Sequence, residues 1–207
     1  MINIGVDFQR IKTEYYEEKS SNIIAIEETN EKGKAKLTVT FPNQHSVTYY
    51  KLCNETSSWL NFAINNHCAD GIIIGIDSNV KARIYIFELK SKITAAKWST
   101  VLKQYRGSIL RALSFCHTIG IREIEEVRFY TSFIDRTQID KEKFVNEEQK
   151  KIKGGIISRK QMLGRRLTDI EQWDTSRVKP FPNSQFFTHK TITLTKSGGI
   201  NTGSYTI

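Results

Sequence analysis

The spacing of apolar residues assigns most of the elements. The clearest case is residues 97–117. There Trp98, Val101, Leu102, Tyr105, Ile109, Ala112, Leu113 and Cys116 recur at three- and four-residue steps. That is the period of one buried helix face. The opposite face carries Lys103, Arg106 and Arg111, and Gly120 is a natural stop. Just upstream, residues 71–76 and 82–89 are two apolar runs separated by Asp77-Ser78-Asn79-Val80. Their closeness predicts an antiparallel hairpin. Residues 127–134 read as a further strand. A helix between two strands implies a crossover, and with it a mixed sheet.

The flanking regions are less regular. Residues 23–27, 36–41 and 46–52 are β-rich, with turn signals at 30–33 and at Pro42-Asn43. Residues 7–20 read as a polar first helix. Residues 55–66 read as a second, with Trp59, Phe62 and Ala63 on one face. Beyond Asp135 the pattern weakens. Residues 141–153 form a charged helical stretch broken at Gly154-Gly155, and 158–167 are basic and polar. A turn is expected at 180–182. Residues 188–195 alternate like an edge strand, and 197–207 read as a loose tail. The expected fold is α/β (α+β), a mixed sheet with flanking helices. Residues 1–135 are expected to form the core and 136–207 a basic C-terminal extension packed on the same domain.

Composition narrows the setting. The longest aliphatic run, Ile72-Ile73-Ile74 extended by Gly75-Ile76, falls far short of the ~20 residues that span a bilayer. Residues 1–18 carry charges throughout and no apolar block, so a cytoplasmic protein without a membrane partner is expected. Cys53, Cys68 and Cys116 have no metal-ligand spacing, and their odd number argues against a disulfide framework. The adjacent pairs His67-Cys68 and Cys116-His117 diverge on either a strand or a helix, so neither is a natural chelate.

Charge is unevenly spread. Residues 101–207 hold 19 Lys+Arg against 11 Asp+Glu, whereas residues 1–100 are nearly balanced. Lys150, Lys151, Lys153, Arg159, Lys160, Arg165 and Arg166 follow one another with no acid between them. A polyanion such as nucleic acid suits this asymmetry. With Lys103 and Arg106 on the helix, these are the candidate phosphate contacts. Trp59 and Trp98 belong with the core. Trp173, in a polar stretch, is the aromatic placed to stack on a base.

The candidate chemistry lies on the hairpin. Glu88 and Lys90 are two apart on a strand, so their side chains leave the same face. The run from Ile84 to Phe87 is apolar without interruption, as in a strand buried on both faces. An ionic pair at the end of such a strand is costly unless something there needs it. If the turn centres on Asn79, Asp70 lies opposite Glu88, and Asp77 lies at the far end opposite Lys81. Directly opposed Cβ atoms are roughly 4.5–5.5 Å apart, and two carboxylates there repel unless a cation lies between them. One or two carboxylates with waters and substrate phosphates is the usual magnesium arrangement. With Lys90 beside them, that composition suits phosphodiester hydrolysis.

Asp70…Glu88-Leu89-Lys90 on a hairpin, followed by an amphipathic helix and a strand, resembles the PD-(D/E)XK nuclease superfamily. That group includes restriction enzymes, repair nucleases and phage-defence nucleases. The resemblance covers roughly residues 59–133. It implies a restriction-endonuclease-like core and a Mg²⁺-dependent nuclease, with Mn²⁺ as a substitute metal and DNA as the expected substrate. Carried over by position, Asp70 and Glu88 are the metal-binding acids, Lys90 is the lysine, and the backbone carbonyl of Leu89 is a further ligand. Gln104 takes the place of a glutamine found on the following helix in many members. Residue 69 is Ala where the pattern has Pro, and residue 108 is Ser where one branch has Tyr. Members often add an acid from an early helix, for which Glu14, Glu17, Glu18 and Glu55 compete. Cutting both strands of a duplex needs two sites, which a homodimer would supply. The alternative is a non-catalytic module that keeps the fold and binds nucleic acid or a protein partner.

Overall fold

A computed structural model of the chain describes residues 6–28, 34–42, 47–52, 67–135, 176–181, 183–197 and 199–207. Within them the protein is a mixed α+β structure of two mixed sheets and one α-helix. The predicted hairpin is present as β5 (Gly71–Asp77) and β6 (Lys81–Lys92), paired antiparallel from Gly71 opposite Phe87 to Ile76 opposite Ala82. Asp77 shapes its turn. Its Oδ1 accepts from the backbone N–H groups of Asn79 and Lys81, both at 2.9 Å. Val80 takes the left-handed conformation, φ 63°, uncommon for a β-branched residue.

The helix α1 spans Ala95–Thr118 and is capped by Thr94, whose side chain accepts from the Lys97 N–H. It ends where Gly120 turns to φ 95° and returns an N–H to His117. The chain then enters β7 (Glu123–Asp135), which runs parallel to β6. The crossover expected from the sequence is therefore present.

Two further strands precede the hairpin in the same sheet, β1 (Tyr16–Lys19) and β4 (Val47–Leu52). Two follow it, β8 (Arg177–Val178) and β9 (Phe187–Thr193). The order is β1-β4-β5-β6-β7-β9-β8. The smaller sheet has β2 (Ile23–Glu28), β3 (Ala35–Thr40), β10 (Thr195–Ser197) and β11 (Ile200–Thr206), in the order β10-β11-β3-β2.

The continuous apolar runs of β5 and β6 now have a cause, since both faces of the large sheet are covered. Ile72, Ile74, Ile84 and Ile86 pack with Trp98, Val101, Tyr105 and Phe115 from α1. Ile73, Tyr85, Phe87 and Leu89 face the small sheet and pack with Ile24, Ile26, Leu37 and Val39. Phe87 stacks on Tyr130 at 4.6 Å in this second layer. Flanking helices were expected. Among the described residues one face carries α1 and the other a sheet. No described helix is long and apolar enough to cross a membrane.

Three readings of the sequence are corrected. Residues 7–20 do not form a helix; short 3-10 turns at Phe8–Arg10 and Thr13–Tyr15 lead into β1. Phe8, Tyr16 and Tyr50 form an aromatic cluster there, and this packing outweighs local propensity. Residues 188–195 overlap a strand that is one in from the edge, since two-residue β8 lies outside it. Residues 197–207 are not a tail. β11 inserts between β10 and β3 and pairs parallel with β3 from Asn201 to Thr206. Its polar, small residues hide this, because its pairing is carried by backbone groups. At Gly203 the strand runs close under Leu194, whose Cδ2 lies 2.6 Å from where a Cβ would stand, so a larger residue there would make the Leu194 side chain shift. The predicted helix at 55–66 and the stretch 141–167 lie outside the described residues.

Truncation before Ile200 should therefore unfold the protein more easily, by about 2–5 kcal/mol or more, the scale of losing one large buried side chain. Chemical denaturation measures this, and a loose tail would leave the midpoint unchanged.

Candidate active site

The observed register puts Asp70, one residue before β5, across from Glu88. Its Oδ2 accepts the Leu89 N–H at 2.7 Å. Alternation along β6 turns Glu88 and Lys90 to the α1 side, in phase with Ile84 and Ile86. Glu88 has no solvent exposure. Lys90, partly exposed, donates from Nζ to Glu88 Oε1. Glu88 Oε2 is buried and has no hydrogen-bond partner. Asp77 stands at the distal turn, as the register argument requires.

Helix α1 fixes the approach to this corner. Gln104 donates from Nε2 to the Cys68 carbonyl at 3.2 Å. Ser108, one turn on, accepts the Ala69 N–H at 2.8 Å. The helix thereby holds the two residues before Asp70. Gln104 Oε1 is buried and without a partner, like Glu88 Oε2. The position where the PD-(D/E)XK pattern has Pro is filled by Ala69, fully buried, and the Ser at 108 is a backbone anchor.

Burial raises the pKa of Glu88 to about 8; the charge of Asp70 adds to this, while Lys90 and Gln104 oppose it. Burial also raises Asp70, against the Leu89 N–H and Lys90. Burial alone would lower Lys90, but the charges of Glu88 and Asp70 reverse that and its pKa rises. Two buried carboxylates that resist ionisation side by side, one with an orphan oxygen, form a donor set that a divalent cation fits. Asp70 and Glu88 are the side chains that would hold it, with the Leu89 carbonyl the third ligand that the resemblance implies. Among the described residues no three His, Cys, Asp or Glu side chains converge as a fuller metal cage.

One acid was missed. Glu28 ends β2, in phase with the inward-facing Ile24 and Ile26. Its pKa is raised by burial and by Asp70, and lowered by Lys90 and Lys97. Ile26 packs where a Cβ of Gly71 would lie, at 2.8 Å, which brings the end of β2 to the start of β5. The alternation Ile24, Ile26, Glu28 was the available signal, but it points nowhere until the second sheet is placed. The early acids behave otherwise. Glu14 and Glu17 are exposed and pair with Lys12 and Lys19, and Glu18 is exposed on edge strand β1. Glu55 lies outside the described residues.

The basic candidates separate. Lys103 is exposed on α1. Arg106 donates to the Pro180 carbonyl and ties α1 to the C-terminal segment. Arg111, expected on the polar face, is instead buried at 6% exposure. It continues the stripe of Gln104 and Ser108, which lies against the chain at Cys68 and Ala69. Trp98 is core, as expected. Cys68 is a half-buried thiol beside Ser108 Oγ, and Cys116 is a buried one. Lys150, Lys151, Lys153, Arg159, Lys160, Arg165, Arg166, Trp59, Trp173 and Cys53 lie outside the described residues. Comparison with known protein families, curated proteins and solved structures finds no match to this chain.

The sign of the Glu88 shift gives a test. Its pKa is about 8 folded against 4.5 unfolded, so between those values the folded state binds the extra proton. Stability of the metal-free protein should fall as pH rises through that window. Glu88→Gln should flatten the fall and raise the melting temperature at pH 8. Thermal unfolding between pH 5 and 9 measures both, and a wild-type curve flat in pH would contradict the burial argument.

Proposed function

We propose that the protein is a metal-dependent nuclease that hydrolyses phosphodiester bonds, with DNA as the preferred substrate. The observation that carries this reading is the meeting of Asp70, Glu88 and Lys90 at one end of a doubly covered hairpin. The order of hairpin, helix and parallel strand agrees with the PD-(D/E)XK resemblance, and a restriction-endonuclease-like core is proposed on that basis. A defence or restriction role follows only from the resemblance.

Asp70 and Glu88 supply negative charge at a point where solvent is largely excluded. Mg²⁺ bound there, or Mn²⁺ in its place, supplies the charge that polarises a phosphate and acidifies a water. Lys90 is held by Glu88 and keeps its proton, so it acts as a cation toward a phosphate oxygen or an attacking water. Gln104 fixes Cys68 and leaves its amide oxygen facing the same buried corner. Burial strengthens each of these interactions, because charges act over short distances in a low dielectric.

Purified protein should cleave DNA with Mg²⁺ or Mn²⁺ and be silent in chelator. Glu88→Gln and Asp70→Asn should each reduce turnover by at least about 100-fold, the lower end for a group acting in the transition state, with the folded near-UV circular dichroism retained. Lys90→Ala should slow turnover while leaving metal affinity within a few fold. Cleavage that persists in Glu88→Gln would place the chemistry elsewhere. A metal-binding protein that cuts no nucleic acid would favour a non-catalytic binding module.

A further inference from the structure

The first residues of β6 and β7 lie at the end of the small sheet. Arg83 and Tyr85 are in phase with Phe87 and Leu89, so they leave the face that the small sheet covers further along. Over Arg83 that cover stops at Pro42 and Ile207, which follow β3 and β11. What remains is an open cleft of about 480 Å³. Glu88 is on the opposite face, roughly 16 Å further along β6 at ~3.3 Å per residue.

The strand register builds the lining. Ala82 pairs with Ile124, but Arg83 pairs with Glu126, so Glu125 is an extra residue in β7. A bulge re-aims side chains, and one between parallel strands is rare. Here Glu125 reaches across to Arg83, its Oε2 accepting from Nε at 2.6 Å. Glu126 accepts from Arg128 Nε. Both pairs are half-exposed, and such pairs add little to stability. Nε carries one N–H of each guanidinium, and the other donors sit on the two terminal nitrogens. Arg83 and Arg128 are diagonal neighbours, one strand across and two residues along, so their Cα atoms are roughly 8 Å apart. Tyr85 floors the cleft, and burial raises its hydroxyl to about 12, so it keeps a proton to donate. The Tyr130 hydroxyl, buried and without a hydrogen-bond partner, lies within reach of the Arg128 charge.

We propose that this cleft is a binding site for a small phosphate monoester, its phosphate held between Arg83 and Arg128 and its organic part against Tyr85, Pro42 and Ile207. The chain already offers each arginine a carboxylate. A phosphate monoester outdoes it, because it carries more charge and three terminal oxygens, enough for both arginines. The cleft is larger than one phosphate ion and falls in the size range of small-molecule sites. The site needs neither the metal nor the DNA of the nuclease reading and stands or falls apart from it.

The test is isothermal calorimetry on the full chain in chelator, with adenosine monophosphate, glucose 6-phosphate, inorganic phosphate and succinate as probes. At least one monoester should bind more tightly than inorganic phosphate, and succinate should bind more weakly than either. Arg83→Gln and Arg128→Gln should each weaken the preferred monoester at least about 10-fold, the scale of one charge-assisted hydrogen bond. Arg128→Lys should lose less, since it keeps the charge without the fork. Both Gln variants should melt close to the wild-type temperature, because half-exposed pairs add little. Glu88→Gln should bind the monoester as the wild type does.

Wild-type protein that binds neither monoester at millimolar concentration overturns the assignment. Binding that is unchanged in both Gln variants, or lost in Glu88→Gln, places the ligand elsewhere and overturns it too. Succinate bound as tightly as the monoesters overturns the phosphate class, and inorganic phosphate bound as tightly as both overturns the monoester. Where a Gln variant does not fold, wild-type affinity in an Arg83→Lys, Arg128→Lys double variant overturns it equally.

Discussion

The full burial of the Glu88 carboxylate is the constraint on which the rest of the structure turns. A strand covered by a helix on one face and a sheet on the other offers almost no water to an ionised side chain. Lys90 compensates one oxygen and leaves the other without a partner. Asp70 makes the electrostatics worse, and the Leu89 N–H holds it in place nonetheless. A fold that needed only stability would do as well or better with apolar residues there, because replacing buried charges by well-packed apolar side chains is often neutral or stabilising, by about 1–4 kcal/mol. The local conflict between charge and burial is of the kind that accompanies function.

Among the described residues the surroundings of Glu88 on the β7 side are polar and add no further charge. The β6–β7 register pairs Glu88 with Thr131. Thr131 Oγ1 lies 2.6 Å from the Tyr105 hydroxyl and 2.9 Å from His189 Nε2. Burial drives His189 down to about 3, so its imidazole is neutral. Burial drives the Tyr105 hydroxyl well up, and the Glu88 charge adds to this, so it too keeps its proton. The network joins α1, β7 and β9 by hydrogen bonds between uncharged groups. It supports the helix that positions Gln104 and Ser108 without adding a cation to compete with Lys90 for Glu88.

The local part of this arrangement was legible in the sequence, because period and turn chemistry are local. Asp77 and Asn79 fix the turn, the turn fixes the register, and the register brings Asp70 to Glu88. The helix over residues 97–117 and its stop at Gly120 were legible for the same reason. The second sheet was not, because its strands come from both ends of the chain and nothing local says that they meet. Asn201 to Thr206 shows no apolar alternation, and its partner β3 lies some 160 residues earlier, a separation that no local rule spans. Arg111 was misplaced for a related reason. A helix covered by the chain at 68–70 as well as by the sheet has a wider buried face than its apolar stripe alone marks. Glu28 comes within electrostatic reach of Asp70 only through the same missing sheet.

That long-range pairing also bears on how the chain divides. β7 finds its outer neighbour in β9 and β3 finds its own in β11, and both neighbours come from beyond residue 135. Without them, β7 would present Arg128 to Phe133 as an open edge, and β3 would present Ala35 to Thr40. Exposed edges of that length invite pairing with other chains. Leu37, Val39 and Tyr130 would lose Leu194 and Ile192 from the layer above Phe87 and Leu89. Leu89 supplies the N–H that holds Asp70. The C-terminal strands therefore act on the candidate site through packing, since they complete the sheet that keeps one face of β6 dry.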